Sequence, residues 1–321
     1  MVRLIVWRLV QLPCILIVIF LVTFLLAWVV PGNPLYSEGR QPPPEVEQAM
    51  KRQYGLDTRS GFMFKYVEQV AKGDLGPSLR RRGERVNDII AAGLPVSATL
   101  GLAALIVALA IGLTAGVIGA LWPGTPLDAG SLVLALLGVS LPAFVTGSVL
   151  LAVFAGVLHW APIYGWHWPG WEFWTQDWWI LFRRMLMQLI LPALTLGAAP
   201  AAYIARLVRL GLADVMNSDF IRTARAKGLS RSQALFRHAM KVAFLPVLSF
   251  LGPAAAAAMT GSFVVEKVFA IPGIGRDFVD AVLNKDQFLI LGVVLVYSTM
   301  LIAFNLLVDV AYAWVDPRIE T

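Results

Sequence analysis

The sequence DFIRTARAKGLSRSQALFRHAMK, residues 219–241, is a short basic segment between two long uncharged runs. It holds a single acidic residue, Asp219, against six basic ones: Arg222, Arg225, Lys227, Arg231, Arg237 and Lys241. The flanking runs, 185–205 and 242–265, contain no Asp, Glu, Lys or Arg. Basic loops between apolar spans are typical of the cytoplasmic side of membrane proteins. The pattern therefore predicts a cytoplasmic hairpin at a membrane surface.

Local signals within this segment predict two short helices. Ser218 and Asp219 are residue types that cap helix N-termini. Gly228 fits the left-handed position just after a helix, because glycine adopts that conformation without a steric penalty. Ser230 and Gln233 have the spacing of a capping box, which predicts the start of a second helix. The sequence thus predicts a helix on each side of Gly228.

Each predicted helix has an apolar face. In the first, Phe220, Ile221 and Ala224 are predicted to lie on one face. In the second, five residues recur at helical spacing, namely Leu235, Phe236, Ala239, Met240 and Ala243. A basic amphipathic hairpin of this kind can bind anionic lipid or enter the groove of a soluble partner. The pattern alone leaves both interpretations open.

The composition indicates an all-α integral membrane protein. Of the 321 residues, 58% are hydrophobic and only 14% are charged. Several uncharged runs exceed the roughly 18 residues that mark a membrane span. The net charge of +6 does not favour nucleic acid binding, since the main basic cluster lies between spans. The single cysteine, Cys14, excludes an intrachain disulfide and a cysteine-based metal site.

Apolar runs predict six transmembrane helices, near residues 9–30, 95–121, 129–158, 185–205, 242–265 and 287–308. Six spans place both termini in the cytoplasm. The predicted organisation is an N-terminal transmembrane helix at 1–30, an extracytoplasmic segment at 31–94, a transmembrane core at 95–312 that includes the loop 212–241, and a tail at 313–321. A helix is predicted near residues 45–54 of the extracytoplasmic segment.

The loop after the third span is rich in tryptophan. It contains Trp160, Trp166, Trp168, Trp171, Trp174, Trp178 and Trp179. Indole rings favour the membrane–water boundary, so the sequence favours an aromatic belt over stacking on a cargo. The irregular spacing of His159, His167, Glu172 and Asp177 favours no metal site.

Residues 221–230, IRTARAKGLS, resemble the EAA loop of the permease subunits of binding-protein-dependent ABC importers, in the dipeptide, oligopeptide and nickel branch. Arg222 stands where the family's glutamate usually lies, and Pro246 follows Gly228 at eighteen residues. Both departures resemble the peptide branch. Further resemblance comes, in matching order, from GDLGPS at 73–78, SLPAF at 140–144, EKVFAIPGIG at 266–275 and VDPR at 315–318.

The resemblance implies a type I ABC importer permease with six transmembrane helices and a cytoplasmic coupling helix. The residues implied for ATPase coupling are Asp219, Arg222, Thr223, Ala224, Arg225, Lys227 and Gly228. Those expected at the pore or gate are Ser140, Pro142, Phe144, Met259, Thr260, Ser262 and Glu266. Glu266 has two interpretations: contact with a peptide ammonium group or the gate, and an ion pair with Lys267 or Arg276.

The resemblance also implies partners. They are a second permease subunit, two ATPase subunits and an extracytoplasmic binding protein, in the inner membrane of a bacterial cell. The chain has no G-x-x-x-x-G-K-[ST] phosphate loop. We therefore expect no cofactor on this chain and no enzymatic activity of its own, with ATP and Mg²⁺ on the ATPases.

The expected cargo is a dipeptide or oligopeptide, with nickel or another small solute as the alternative within the branch. A stand-alone secondary transporter is an alternative from a different class, and it would require a repeat or discontinuous helices with an ion site. A membrane enzyme would require a buried charged or metal-binding cluster across the spans, and the sequence contains no such pattern.

Overall fold

The computed structural model describes residues 2–29, 43–81, 83–162, 166, 177–260 and 262–315. These residues form α-helices joined by short turns, with no β-strand among them. The helices are α1 (Val2–Val29), α2 (Pro44–Tyr54), α3 (Arg59–Ala71), α4 (Val86–Leu121), α5 (Pro126–Ser140), α6 (Ala143–Leu150), α7 (Trp178–Met216), α8 (Asp219–Ala226), α9 (Arg231–Ala234), α10 (Met240–Ala243), α11 (Leu245–Met259), α12 (Phe263–Val268), α13 (Ile274–Asn284) and α14 (Gln287–Val315). Two π-helical stretches, Leu151–Val157 and Leu235–Ala239, continue α6 and α9.

Helix length and composition agree with the predicted membrane class. In the described part of the chain, α1, α4, α7 and α14 are each long and apolar enough to cross a membrane. Two bent pairs also qualify when each is counted as one span, which gives up to six. One pair is α5 with Ala143–Val157, and the other is Arg231–Ala243 with α11.

The third and fifth spans differ from the continuous helices that the sequence predicts. The third bends by 109° between α5 and α6. Pro142 lies at this break, because proline has no N–H to donate and its ring disfavours helical geometry in the residue before it. The predicted span at 242–265 ends with α11 at Met259, and Ser262 caps the separate helix α12 by accepting the Val265 N–H at 3.4 Å.

The chain divides into two compact units. The first comprises Met1–Ser97 with Pro272–Ala303, and the second comprises Ala98–Ile271 with Phe304–Thr321. Each unit has its own hydrophobic core. Each unit is therefore built from two segments that are distant in the sequence.

An aromatic cluster forms the core of the first unit. Phe62 and Tyr66 of α3 are buried, and the Phe62 ring lies 5.0 Å from the ring of Phe288. Phe24 of α1 stacks on Phe62 at 6.1 Å. Gly76, at φ +88°, lies against the same Phe288 ring, and a Cβ there would come within 2.7 Å of Cε1. This contact gives a physical reason for a glycine in the GDLGPS segment.

The Asp286 carboxylate joins the loop before α4 to the start of α14. It accepts hydrogen bonds from the Ser78 hydroxyl, from the Arg80 N–H at 3.3 Å and from the Leu289 N–H at 3.3 Å. The last of these bonds caps α14. Both Asp286 and Ser78 are buried, so water does not replace a lost bond easily.

We expect Asp286→Ala to destabilise the first unit by about 3 kcal/mol, since it removes a helix cap and leaves the Ser78 hydroxyl unsatisfied. The measurement is thermal unfolding of the purified chain in detergent. Asp280→Ala is the control, because the Asp280 side chain is half exposed and its ion pair with Arg276, at 4.0 Å, contributes little. Equal unfolding temperatures for the two variants would contradict the prediction.

Glycines allow close packing of α4 against α7 in the second unit. A Cβ on Gly112 would lie 2.7 Å from the Ala201 carbonyl oxygen, and one on Gly197 would lie 2.6 Å from the Ala104 oxygen. Gly116, four residues after Gly112, meets α7 in the same way. Small residues at this spacing let two backbones approach in a membrane, where dispersion forces replace the hydrophobic effect. The α4–α7 pair supports the hairpin described below.

Candidate functional site

The basic segment 219–241 forms the predicted hairpin. Helix α8 begins after Ser218, and Gly228 follows its end at φ +94°. The Gly228 N–H donates to the Arg225 carbonyl at 2.9 Å, and the Leu229 N–H donates to the Ala224 carbonyl at 3.3 Å. These two bonds define a Schellman motif. The predicted left-handed conformation of Gly228 is confirmed.

The second helix of the hairpin begins with the predicted capping box. The Ser230 hydroxyl accepts the Gln233 N–H at 3.3 Å, and the Gln233 side-chain oxygen accepts the Ser230 N–H at 3.0 Å. Reciprocal bonds of this kind satisfy two backbone donors that the first turn leaves free. The direction of the chain after Gly228 is therefore set by side chains of the hairpin itself.

The buried face of the hairpin packs on α7. Ile221 is fully buried, and its contacts belong to a core with Leu212 and Val208 of α7. The second helix contributes Ala234, Leu235, Ala239 and Ala243 to the same core.

Two phenylalanines do not share the face of their apolar neighbours. Phe220 is 49% exposed and Phe236 is 59% exposed, whereas Ile221 and Leu235 are fully buried, so the predicted shared faces are wrong at these two positions. Neighbouring helical residues point about 100° apart, and only the side centred on Ile221 faces α7.

The outward face of the hairpin is cationic and partly aromatic. Arg222, Thr223, Arg225 and Lys227 are exposed, while Ala224 is half-buried. Asp219 and Arg222 form an exposed ion pair at 3.5 Å, which contributes little to stability. Together with the two exposed phenylalanines, this face suits a partner groove with an acidic rim and an apolar floor.

An ion pair that the sequence reasoning missed joins α5 to α7, the helix on which the hairpin packs. Arg209 of α7 binds Asp128 of α5 through two bonds, Nε to Oδ1 at 2.6 Å and Nη2 to Oδ2 at 2.8 Å. The Gly124 N–H donates to Oδ2 at 3.0 Å. The sequence did contain a signal for this ion pair, because Asp128 is the only Asp, Glu, Lys or Arg between residues 89 and 171. Isolated carboxylates at membrane depth usually have a specific partner.

A different polar contact, made by Arg231, joins the hairpin to α4. The Arg231 guanidinium donates to the Ala120 carbonyl oxygen at 3.3 Å. The last carbonyls of a helix have no partner within the helix, and a basic side chain satisfies them well. The ends of α4, α5 and α7 and the hairpin are thus joined by arginines.

The residues predicted at the pore fall in two breaks of the second unit. Ser140, Pro142 and Phe144 lie exposed at the break between α5 and α6. Met259, Thr260 and Ser262 lie half-buried at the break between α11 and α12. Their role in a pore stays a prediction.

The structure brings α6, which carries Phe144, against α12, which carries Glu266. Gly147 marks this contact, since a Cβ there would lie 3.1 Å from the Phe269 ring and 3.4 Å from Val268. Glu266 itself is fully buried within the chain. Several residues named from the sequence lie outside the described residues, namely Trp168, Trp171, Trp174, His167, Glu172 and residues 316–318.

Comparison with known proteins gives one family and a consistent set of relatives. The family described as the binding-protein-dependent transport system inner membrane component matches residues 108–321. The chain is 40% identical over 306 residues to the oligopeptide transport system permease protein OppB of Escherichia coli strain K12, covering 95% of each chain. It is 38% identical over 306 residues to the dipeptide transport system permease protein DppB of Bacillus subtilis strain 168, covering 95% of this chain and 94% of that protein.

Proposed function

The chain belongs to the family of binding-protein-dependent transport system inner membrane components, and we propose that it is one of two permease subunits of an ATP-driven importer of short peptides. The cargo is inferred from relatives that are named as oligopeptide and dipeptide permeases and that match almost the full length of the chain. The observation that carries the coupling role is the hairpin, whose α8 has an apolar side buried on α7 and a basic side exposed.

In this proposal, α8 is the coupling helix. ATP and Mg²⁺ bind to two separate ATPase subunits, and this chain holds no cofactor. The groove of one ATPase receives the basic face with Arg222 and Arg225, while Gly228 allows the sharp turn out of the groove. Movement of the ATPase displaces α8 as a rigid body together with α7, on which it packs. The ATP state thereby decides which side of the pore is open.

The remaining partners follow from the same proposal. A second permease subunit supplies the other half of the pore, and an extracytoplasmic binding protein delivers the peptide. The chain crosses the inner membrane of a bacterial cell with both termini in the cytoplasm. That orientation places the basic hairpin in the cytoplasm, in agreement with the preference of Lys and Arg for that side.

Nickel or another small solute is the alternative cargo, because the binding protein performs much of the selection in this branch. The break at Pro142 is a discontinuous helix of the kind that secondary transporters use. Family membership argues against that class, since the family works with a binding protein.

The first test is co-purification from mild detergent with the native neighbours of the chain, followed by mass identification. We expect an ATPase to be recovered with the wild-type chain. Replacement of Arg222 and Arg225 by Glu and of Gly228 by Val should lower that recovery at least about tenfold, since each charge reversal at a desolvated contact costs several kcal/mol. The control is Arg52→Glu, an exposed charge reversal on α2. An ATPase that is recovered equally with all variants would refute the coupling role.

A further inference from the structure

Helix α5 is fastened to α7 near both of its ends. At its start, Asp128 holds Arg209 through two bonds of 2.6 and 2.8 Å. Ten residues later, Gly138 lets the Ala198 backbone approach, and a Cβ there would lie 2.8 Å from the Ala198 oxygen. The two contacts run in opposite directions along the two helices, so α5 and α7 are antiparallel. At a rise of about 1.5 Å per residue, the fastened stretch is about 15 Å long.

Two residues, Asn217 and Ser218, link α7 to the coupling helix, and hydrogen bonds to the last turn of α7 fix both of them. The Asn217 amide donates to the Ala213 carbonyl at 3.0 Å, and the Ser218 hydroxyl donates to the Val215 carbonyl at 2.6 Å. Ile221 then packs on α7 from the far side of this linker. Because the linker is short and hydrogen-bonded, we expect α7 to move together with α8.

Helix α5 leads in the other direction to the break at Pro142. The last residue of α5 is Ser140, and the exposed Phe144 lies in the first turn of α6, directly after the break. A shift of α5 along its axis therefore displaces this break. Another face of α7 packs closely against α4. The chain offers one continuous route from α8, through α7 and α5, to the residues expected at the pore.

We propose that the Asp128–Arg209 ion pair is the positioning element that transmits movement of the coupling helix from α7 to α5 and so to the gate at Ser140–Phe144. This inference rests on the proposed function. The paired guanidinium and carboxylate fix both distance and angle, which a single contact does not. Only 6% of the Asp128 side chain and 26% of the Arg209 side chain are exposed, so salt screens the pair weakly.

The experiment uses the complete importer, reconstituted in liposomes with its partner permease, ATPases and binding protein. It measures peptide uptake and ATP hydrolysis in the same vesicles. Asp128→Asn and Arg209→Met are each expected to lower the number of peptides carried per ATP about tenfold, in the range of known coupling energies. The double variant should be no worse than either single one, because both remove the same interaction.

Arg206→Met is the matched control, since Arg206 lies one turn before Arg209 on the same helix and is exposed. It is expected to keep the wild-type ratio. An unchanged ratio in assembled Asp128→Asn importer, or a double variant that multiplies the two single effects, would overturn the inference. If the wild-type importer shows no uptake of peptide, the proposed function fails instead, so the two failures are distinguishable.

A milder variant covers the case in which Asp128→Asn does not assemble. Arg209→Lys keeps the charge but cannot make both bonds, and it is expected to lower the ratio about threefold. A gate readout accompanies it, in a background with Cys14→Ser and Ser140→Cys. We expect ATP to change the maleimide reaction rate at position 140 about tenfold with the pair intact and less than about threefold with Lys at 209. Equal rates and ratios in Arg209→Lys and wild type would reject the inference.

Discussion

Replacing Gly101 by leucine is expected to leave almost no folded chain in the membrane. A Cβ at this position would lie 2.6 Å from the Met259 Cα and closer still to the Ala258 carbonyl. Both obstacles are backbone atoms of α11, which cannot swing aside as the tip of a flexible side chain does. Overpacking a well-packed core costs typically about 1–3 kcal/mol even where side chains can move aside, and the immovable backbone here makes the cost larger. Such a cost is a large fraction of the stability of a typical domain, about 5–15 kcal/mol.

The measurement is the fraction of chain that elutes as a single symmetric species after detergent extraction. Gly130→Leu is the matched control, because Gly130 is also a helical glycine within an apolar span, but a Cβ added there would meet no heavy atom within 4 Å. We expect the control to elute like the wild type. If the two leucine variants elute alike, the close approach of α4 and α11 does not limit folding.

Ile221→Asp should release the coupling helix without unfolding the rest of the chain. Helix α8 has eight residues, and an isolated helix of that length does not form in water. Its only fully buried residue is Ile221, so the docking of α8 on α7 depends on that side chain. A carboxylate in the same place would be buried among the apolar side chains of this core, which is strongly unfavourable.

The expected result is at least about a tenfold loss of co-purified ATPase, since a detached α8 must be ordered again before it can bind. The elution profile of the chain should stay unchanged, because α7 keeps its packing on α4. Ile221→Leu is the control, a swap of nearly equal volume that costs less than about 1.5 kcal/mol. Undiminished ATPase recovery with Ile221→Asp would show that the helix is held by other contacts.

The hairpin is the part that sequence reasoning predicts best, because its determinants are local. The helix start after Ser218, the left-handed Gly228 and the Ser230–Gln233 capping box each involve residues that are at most five positions apart in the chain. Such signals are independent of the tertiary structure. Ser218 occupies the predicted N-cap position, but its hydroxyl bonds to the Val215 carbonyl and makes no capping bond. The helical class follows as simply, since long uncharged runs have few alternatives in a membrane.

The features that sequence reasoning missed depend on distant residues. The Asp128–Arg209 pair joins positions 81 residues apart, and no spacing rule connects them. The exposure of Phe220 and Phe236 depends on which side of the hairpin faces α7, which periodicity does not specify. The breaks in the third and fifth spans escape a hydropathy argument, because the sequence stays apolar through Pro142 and through residues 259–262. The roles of Met259, Thr260, Ser262 and Glu266 stay predictions.

The interleaving of the two units limits how the chain can be shortened. The match to the family begins at residue 108, which invites a truncation that keeps 108–321. Yet Phe288, within that region, is buried against Phe62 and Tyr66, which lie before it. A fragment cut at the family boundary would lose those rings and expose the start of α14. The segment that the family model matches is therefore shorter than the segment that the packing of Phe288 requires.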